Sequence, residues 1–180
     1  MNRPDAPAAP TSGPPPTLGW TVVTTSDGPF TVLFDDDGVV HASGWTDDPT
    51  YFLPLIHPGL RPAGLDERPG GPVADAVLAY YAGDLHAPSR VEVRQRSGPF
   101  LQSAWAALRE VPPGPPITYS ALAERAGNAA AVRAAAACCA RNAAALFVPC
   151  HRVVRNNGAL GGFRYGLEIK ESLIARETKH

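Results

Sequence analysis

A cysteine, a histidine and an arginine stand in a row in "LFVPCHRVVRNNG", residues 146–158, with a proline before them and a polar, glycine-ended turn after them. Cys150 beside His151 offers a nucleophile next to a base. A thiol attacks as its thiolate, and at an ordinary pKa of about 8.5 it is only slightly ionised at neutral pH, so a neighbour must take the proton. Consecutive side chains diverge, so a proton moving from Cys150 to His151 would pass through a water. A histidine base also needs a partner on its other ring nitrogen. The carboxylates available are Glu168, Glu171 and Glu177 in "LEIKESLIARE". Most Cys-His neighbours are structural, so spacing alone leaves packing and catalysis both open. Cys138, Cys139, Cys150 and His151 also supply zinc-type atoms, but they lack the usual two-to-four-residue gaps. No metal and no cofactor are expected.

Something must position this turn. "GWTVVTTSDGPFTVLFDDDGVVHASGW" alternates Val, Thr, Phe and Leu between Asp27-Gly28 and Asp37-Gly38, dipeptides that favour tight hairpins. "LPLIHPGLRPAGLDERPGGP" is too rich in Pro and Gly for regular structure and is expected to be a loop. "VADAVLAYYAGDL" spaces Val73, Val77, Leu78 and Tyr81 as a helix face, and "SRVEVRQR" alternates like a strand. Residues 18–96 therefore read as a small α/β domain with an antiparallel sheet. Residues 97–180 read as helical. "GPFLQSAWAALREV" places Phe100, Leu101, Ala104, Trp105 and Leu108 on one face. "TYSALAERAG" starts at a good N-cap, Thr118, and ends at Gly127. "NAAAVRAAAACCARN" is alanine-dense and begins at a second cap residue, Asn128. Two helices joined by a short Gly-Asn turn outline a helix-turn-helix.

Composition narrows the classes. No apolar run approaches the roughly 20 residues a membrane-spanning helix needs. The first sixteen residues hold six prolines and no hydrophobic stretch, so residues 1–17 read as a disordered Pro/Ala-rich leader rather than a signal peptide. Three cysteines, two of them adjacent, make a poor disulfide framework and point to a reducing, cytoplasmic setting. Residues 1–89 carry three Lys/Arg against eleven Asp/Glu, a net of −8; residues 90–180 carry thirteen against six, a net of +7. A basic half fits a polyanionic partner, although two opposite halves also attract each other. The second helix of the pair offers few base-reading side chains, mostly methyl groups with Arg133 and Arg141. It suits close, sequence-indifferent approach to a groove, or equally a buried core helix.

The segment from "SGPFLQSAWAAL" through "PPITYSALAERAGNAAAVRAAAACCARN" to "VPCHRVVRNNGALGGFRYGLEIKESLIARE" resembles the O6-alkylguanine-DNA alkyltransferases, also called methylated-DNA–protein-cysteine methyltransferases. The likeness covers roughly residues 97–177. Residues 18–96 are more loosely similar to the family's ribonuclease-H-like N-terminal domain, and 97–180 to its C-terminal domain with a winged-type helix-turn-helix. The resemblance implies a monomeric, cofactor-free protein that binds double-stranded DNA through the minor groove and flips out O6-alkylguanine, or O4-methylthymine. It moves the alkyl group irreversibly to its own cysteine, one lesion per molecule. By that resemblance Cys150 is the acceptor, His151 the water-linked base, Glu177 its orienting carboxylate, and Asn142 the tie between helix and turn. Tyr119 protonates the departing guanine. Arg133 is the finger that fills the vacated stack, and Ala129, Ala130 and Ala134 allow close approach. Arg141 and Arg152 join the basic DNA-binding set, and Val153, Phe163 and Arg164 belong to the alkyl pocket.

Three departures stand out. Asn142-Ala143 replaces the family's usual Asn-Pro, which predicts a looser turn. Phe163-Arg164-Tyr165-Gly166 replaces the commoner aromatic-Ser/Ala-Gly-Gly and is more similar to bacterial adaptive-response proteins. The first domain has no cysteine cluster for a phosphotriester-sensing zinc module. Two other functions compete. An alkyltransferase-like damage sensor would bind lesions without transfer, but such proteins replace the acceptor cysteine, which is present here. A cysteine hydrolase would need an oxyanion hole and turnover.

Overall fold

The computed structural model describes residues 13–179, and the leader up to residue 12 lies outside them. The first half is built on a four-stranded sheet. Strands β1 (Thr17–Thr25), β2 (Gly28–Phe34) and β3 (Val40–Gly44) form the meander that the Asp-Gly dipeptides predict. At the second hairpin Asp35 Oδ1 accepts from the N–H groups of Asp37 and Val39, and Gly38 takes φ 75°, a left-handed value open to glycine. β2 and β3 are buried on both faces, because the sheet is a central layer. Val32, Phe34 and Val40 join one hydrophobic cluster, and Leu33 and Ala42 join another with Phe52 and Ile56.

The sheet is mixed rather than antiparallel. Residues Gly64–Glu67, inside the segment expected to be a loop, form β4, which runs parallel to β1 at the edge, in the order β3-β2-β1-β4. With one apolar residue, Leu65, and an exposed outer edge, this strand has no alternation to betray it. Backbone pairing holds it, extended by Arg68 N–H to Trp20 O at 3.0 Å. Conversely, "SRVEVRQR" forms no strand. It makes one bridge to β3, with Val40 N–H to Glu92 O at 2.9 Å and Arg94 N–H to Val40 O at 2.8 Å. Helix α1 (Pro72–Tyr81) packs on the sheet through Val73, Ala76, Val77 and Tyr80, one helical stripe. Leu78 points out at 52% exposure, so the buried tyrosine is Tyr80, not Tyr81.

The second half contains α2 (Pro99–Arg109), β5 (Ile117–Thr118), α3 (Tyr119–Arg125), α4 (Val132–Ala140), β6 (Val153–Val154) and α5 (Leu167–Thr178). α2 buries Ala104, Trp105 and Leu108, and the Trp105 indole donates to Cys138 O at 3.0 Å. Thr118 caps α3 as its type predicts, accepting from Ala121 N–H. Asn128 caps a turn instead of α4: its Oδ1 accepts from Ala130 N–H at 3.1 Å, and the helix starts four residues later, at Val132. A short polar side chain bonding the backbone two residues on diverts the chain from helix. The halves are joined at β3, where Ser43 exchanges backbone bonds with Ala143 and Ala145 and its hydroxyl donates to Ala145 O at 2.7 Å. No helix among the described residues is long and apolar enough to cross a membrane.

Candidate active site

The chain between α4 and β6 is wound tightly. Val148 N–H bonds Ala144 O, Cys150 N–H bonds Val148 O, and Cys150–Arg152 form one 3-10 turn after Pro149. Within this winding Leu146 takes φ 73°, the one left-handed non-glycine among the described residues. That conformation costs about 1–2 kcal/mol, and its persistence in a buried leucine means that the surroundings dictate it. Asn142 is the strut. Its Nδ2 donates to Val148 O at 2.8 Å, while its Oδ1 accepts from Ala144 N–H and from Gln95 Nε2. The turn at Asn142-Ala143 is not loose. Ala143 N–H, which a proline would lack, donates to Gln95 Oε1 at 2.9 Å, so one side chain from outside the helical segment staples both residues.

The site's electrostatics rest on one carboxylate. Glu177 reaches the turn because Lys170, Leu173 and Glu177 form the buried stripe of α5. Its Oε1 accepts from His151 Nε2 at 2.8 Å, Arg152 Nη2 at 3.0 Å and the Tyr80 hydroxyl at 2.9 Å, and its Oε2 from Arg152 Nε at 2.9 Å. Burial works against its charge, but these donors prevail and hold its pKa at about 2. His151 is wholly buried, and burial lowers its pKa even against the pull of Glu177, so the imidazole is neutral at rest. With Nε2–H committed to Glu177, Nδ1 keeps the lone pair, and no protein atom among the described residues bonds it. The base therefore has a free basic nitrogen in a fixed tautomer.

Cys150 opens on a cavity of about 610 Å³. Burial, then the neighbouring Cys139 thiol, pushes its pKa up to about 12; Asn142 and Lys170 pull the other way. The resting sulfur is a thiol, which needs proton removal to react. Tyr119 on α3 lines the same cavity, and burial raises its hydroxyl to about 12, which keeps it a proton donor at neutral pH. Phe163, Arg164 and Tyr165 line the cavity as well. The arrangement puts a soft nucleophile and a phenolic acid on one chamber, with the neutral base buried next to the nucleophile in the chain. It can pass a proton away from sulfur while protonating whatever leaves.

Sequence reading and structure differ at several residues. Cys150, Tyr119, Asn142, Phe163 and Arg164 meet at the cavity, while His151 and Glu177 form a buried pair that does not line it. Arg152 does not face a partner: 6% exposed, it is spent on Glu177 and on Val111 O at 2.7 Å. Val153 does not line the cavity either. It pairs with Ile117 in the β5–β6 ribbon, and its carbonyl accepts from Lys170 Nζ at 2.7 Å. Ala129, Ala130, Arg133 and Arg141 are exposed on and beside α4, and Ala134 is half-buried. Three residues went unread. Lys170 is a buried cation, visible in retrospect as the lysine in the stripe of α5. Tyr80 and Tyr51 come from the first half, 70 and 99 residues before Cys150, where no periodicity could tie them to it. Tyr51 lines the cavity, and Trp45 braces its wall, with ring centroids 5.9 Å from Phe163 and 5.4 Å from Tyr165.

Residues 99–179 match the family model described as 6-O-methylguanine DNA methyltransferase, DNA binding domain. The chain is 31% identical to a methylated-DNA–protein-cysteine methyltransferase of Shigella flexneri, covering 86% of this chain and 92% of that protein. It is 45% identical to 24% of the bifunctional transcriptional activator/DNA repair enzyme Ada of Escherichia coli K12, over 47% of this chain. Among solved structures, Mycobacterium tuberculosis OGT in complex with DNA superposes with a TM-score of 0.72 at 26% identity, covering 88% of this chain and 92% of that one. The O6-methylguanine-DNA methyltransferase of Pyrococcus kodakaraensis gives 0.70 at 25% identity, covering 89% and 99%.

Proposed function

The chain belongs to the methylated-DNA–protein-cysteine methyltransferase family, and on that footing we propose that Cys150 is the acceptor to which it moves the alkyl group of O6-alkylguanine in duplex DNA. The observation that carries the reading is the cavity with Cys150 on its wall and, next to it in the chain, the neutral His151 held by Glu177. The reaction is an in-line displacement. Sulfur bonds the alkyl carbon as the bond from that carbon to O6 breaks. The thiol proton passes through a water to His151 Nδ1, and Tyr119 gives a proton to the departing guanine, so guanine is restored as the proton lost by sulfur is balanced. No hydrogen bond joins Cys150 to His151 directly, which fits a relay. The product is a thioether, which water does not cleave, so one molecule repairs one lesion. O4-methylthymine, of similar shape, is a second substrate.

DNA lies against α3 and α4, read as a winged-type helix-turn-helix within a C-terminal domain of residues 97–180. Arg133 is exposed on α4 between Val132 and Ala134, free to enter the stack once a base is extruded at a cost of a few kcal/mol. Residues 18–96 form the ribonuclease-H-like domain, and the protein acts as a monomer. The test is to incubate the protein with duplex carrying O6-methylguanine and to weigh the Cys150 peptide. One methyl per restored guanine is expected. Tight binding with an unmodified peptide would instead make the protein a damage sensor.

A further inference from the structure

A second cavity, of about 310 Å³, lies beside the first, and Ala140 and Arg164 border both. It sits between the segment after β3, residues 94–97 and the end of α4. Its charge is one-sided. Arg94, Arg96, Arg141 and Arg164 line it together with His41 and His57, and no carboxylate does. The counter-charge in contact is Asp35, which Arg94 reaches at only 3.4 Å and which already accepts from His41 Nε2 at 3.0 Å. Among the described residues Arg96, Arg141 and Arg164 are ion-paired with no carboxylate. His41 is 4% exposed, and its Nδ1 has no protein partner. With Nε2–H given to Asp35, that nitrogen is an acceptor and adds nothing for an anion. The four guanidinium groups gathered around the chamber, however, repel one another, and an anion held there would relieve that repulsion.

Guanidinium groups present forked donors that match the oxygens of a phosphate. Arg141 ends α4, the helix laid against DNA above, and Arg164 stands in the wall between the two chambers. We propose that this cavity is a phosphate site, and that it takes a backbone phosphate of the DNA strand whose damaged base enters the neighbouring cavity. The inference rests on the DNA-binding reading of α4, but it concerns binding and not transfer.

Affinity for a duplex carrying O6-methylguanine is measured from 50 to 200 mM NaCl for the wild type, the Arg94→Gln/Arg96→Gln double variant and Arg90→Gln, a charge-loss control outside the cavity. Loss of one phosphate contact lowers the slope of log affinity against log salt by about 0.9. That drop is expected in the double variant and not in the control. Pyrophosphate titrated against Trp105 fluorescence, since Trp105 also lines the cavity, should show saturable binding that the double variant loses. Saturable pyrophosphate binding with an unchanged DNA slope would overturn the DNA assignment in favour of a free phosphate ligand. An equal slope change in Arg90→Gln, or no effect in either titration, would overturn the site. Alkyl transfer by the wild type, followed in parallel, reads the proposed reaction separately: its failure would leave the slope comparison standing.

Discussion

Replacing Glu177 by Gln separates what the buried network does for stability from what it does for chemistry. The carboxylate receives four hydrogen bonds, two of them from Arg152, and the pair is shielded from water, with side-chain exposures of 7% for Arg152 and 1% for Glu177. The substitution keeps size but leaves the Arg152 guanidinium buried without a counter-charge and turns an amide N–H₂ towards donors. Removing one partner of such a pair costs about 3–5 kcal/mol. In a domain of this length each kcal/mol moves the midpoint by about 2–4 °C, so thermal unfolding at pH 7 should fall by roughly 6–20 °C. A second variant, Arg152→Met with Glu177→Gln, removes the orphaned cation and should regain at least half of that loss, as measured by denaturant unfolding in a double-mutant cycle. It should not regain alkyl transfer, because His151 still lacks the carboxylate that fixes its tautomer and raises its basicity. A loss below 1 kcal/mol in the single variant would refute the buried pair. Recovery of the single-turnover rate together with stability would refute the orienting role.

Three further outcomes follow from the same site. With its pKa pushed up to about 12, Cys150 holds little thiolate at neutral pH and gains it as pH rises, so its alkylation by iodoacetamide should quicken about tenfold per pH unit from 7 to 9; a plateau near pH 8 by peptide mass spectrometry would contradict the burial argument. Tyr80→Phe removes one donor to a charged group, worth about 1.5–3 kcal/mol; the lower end is expected in denaturant unfolding, because Oε1 keeps two other donors, and the transfer rate should drop without a change in DNA affinity. Tyr51→Ala opens the cavity wall, and the ratio of benzyl to methyl transfer rates should rise on the order of tenfold in competition between the two lesions; an unchanged ratio would mean that Tyr51 does not size the pocket.

Much of this site is legible in local sequence because its parts are local. Thr118 announces α3, the alanine run announces α4, and the proline before Cys150 announces a turn. Spacing alone leaves Glu177 one of three carboxylates; the family resemblance singles it out, and its place with Lys170 and Leu173 on a single buried stripe sets it apart physically from the exposed Glu168 and Glu171. What could not be read is what depends on who lies opposite. Arg152 looks like a surface cation in a basic half, and only the arrival of Glu177 turns it inward. β4 has no hydrophobic alternation because one neighbour and bulk water are all that flank it. Gln95, polar and unremarked in a segment expected to be a strand, replaces with two hydrogen bonds the rigidity that a proline would have supplied at position 143.

The aromatic bracing of the cavity wall divides labour along the chain in a way that bears on how the protein can change over generations. Trp45 and Tyr51, which back and border the chamber, sit in a half that carries none of the groups moving protons. Substitutions there can reshape what the chamber admits while His151, Glu177 and Tyr119 stay as they are. Selection for a new adduct can therefore act on the first half as a tolerance dial, with the transfer machinery inherited unaltered.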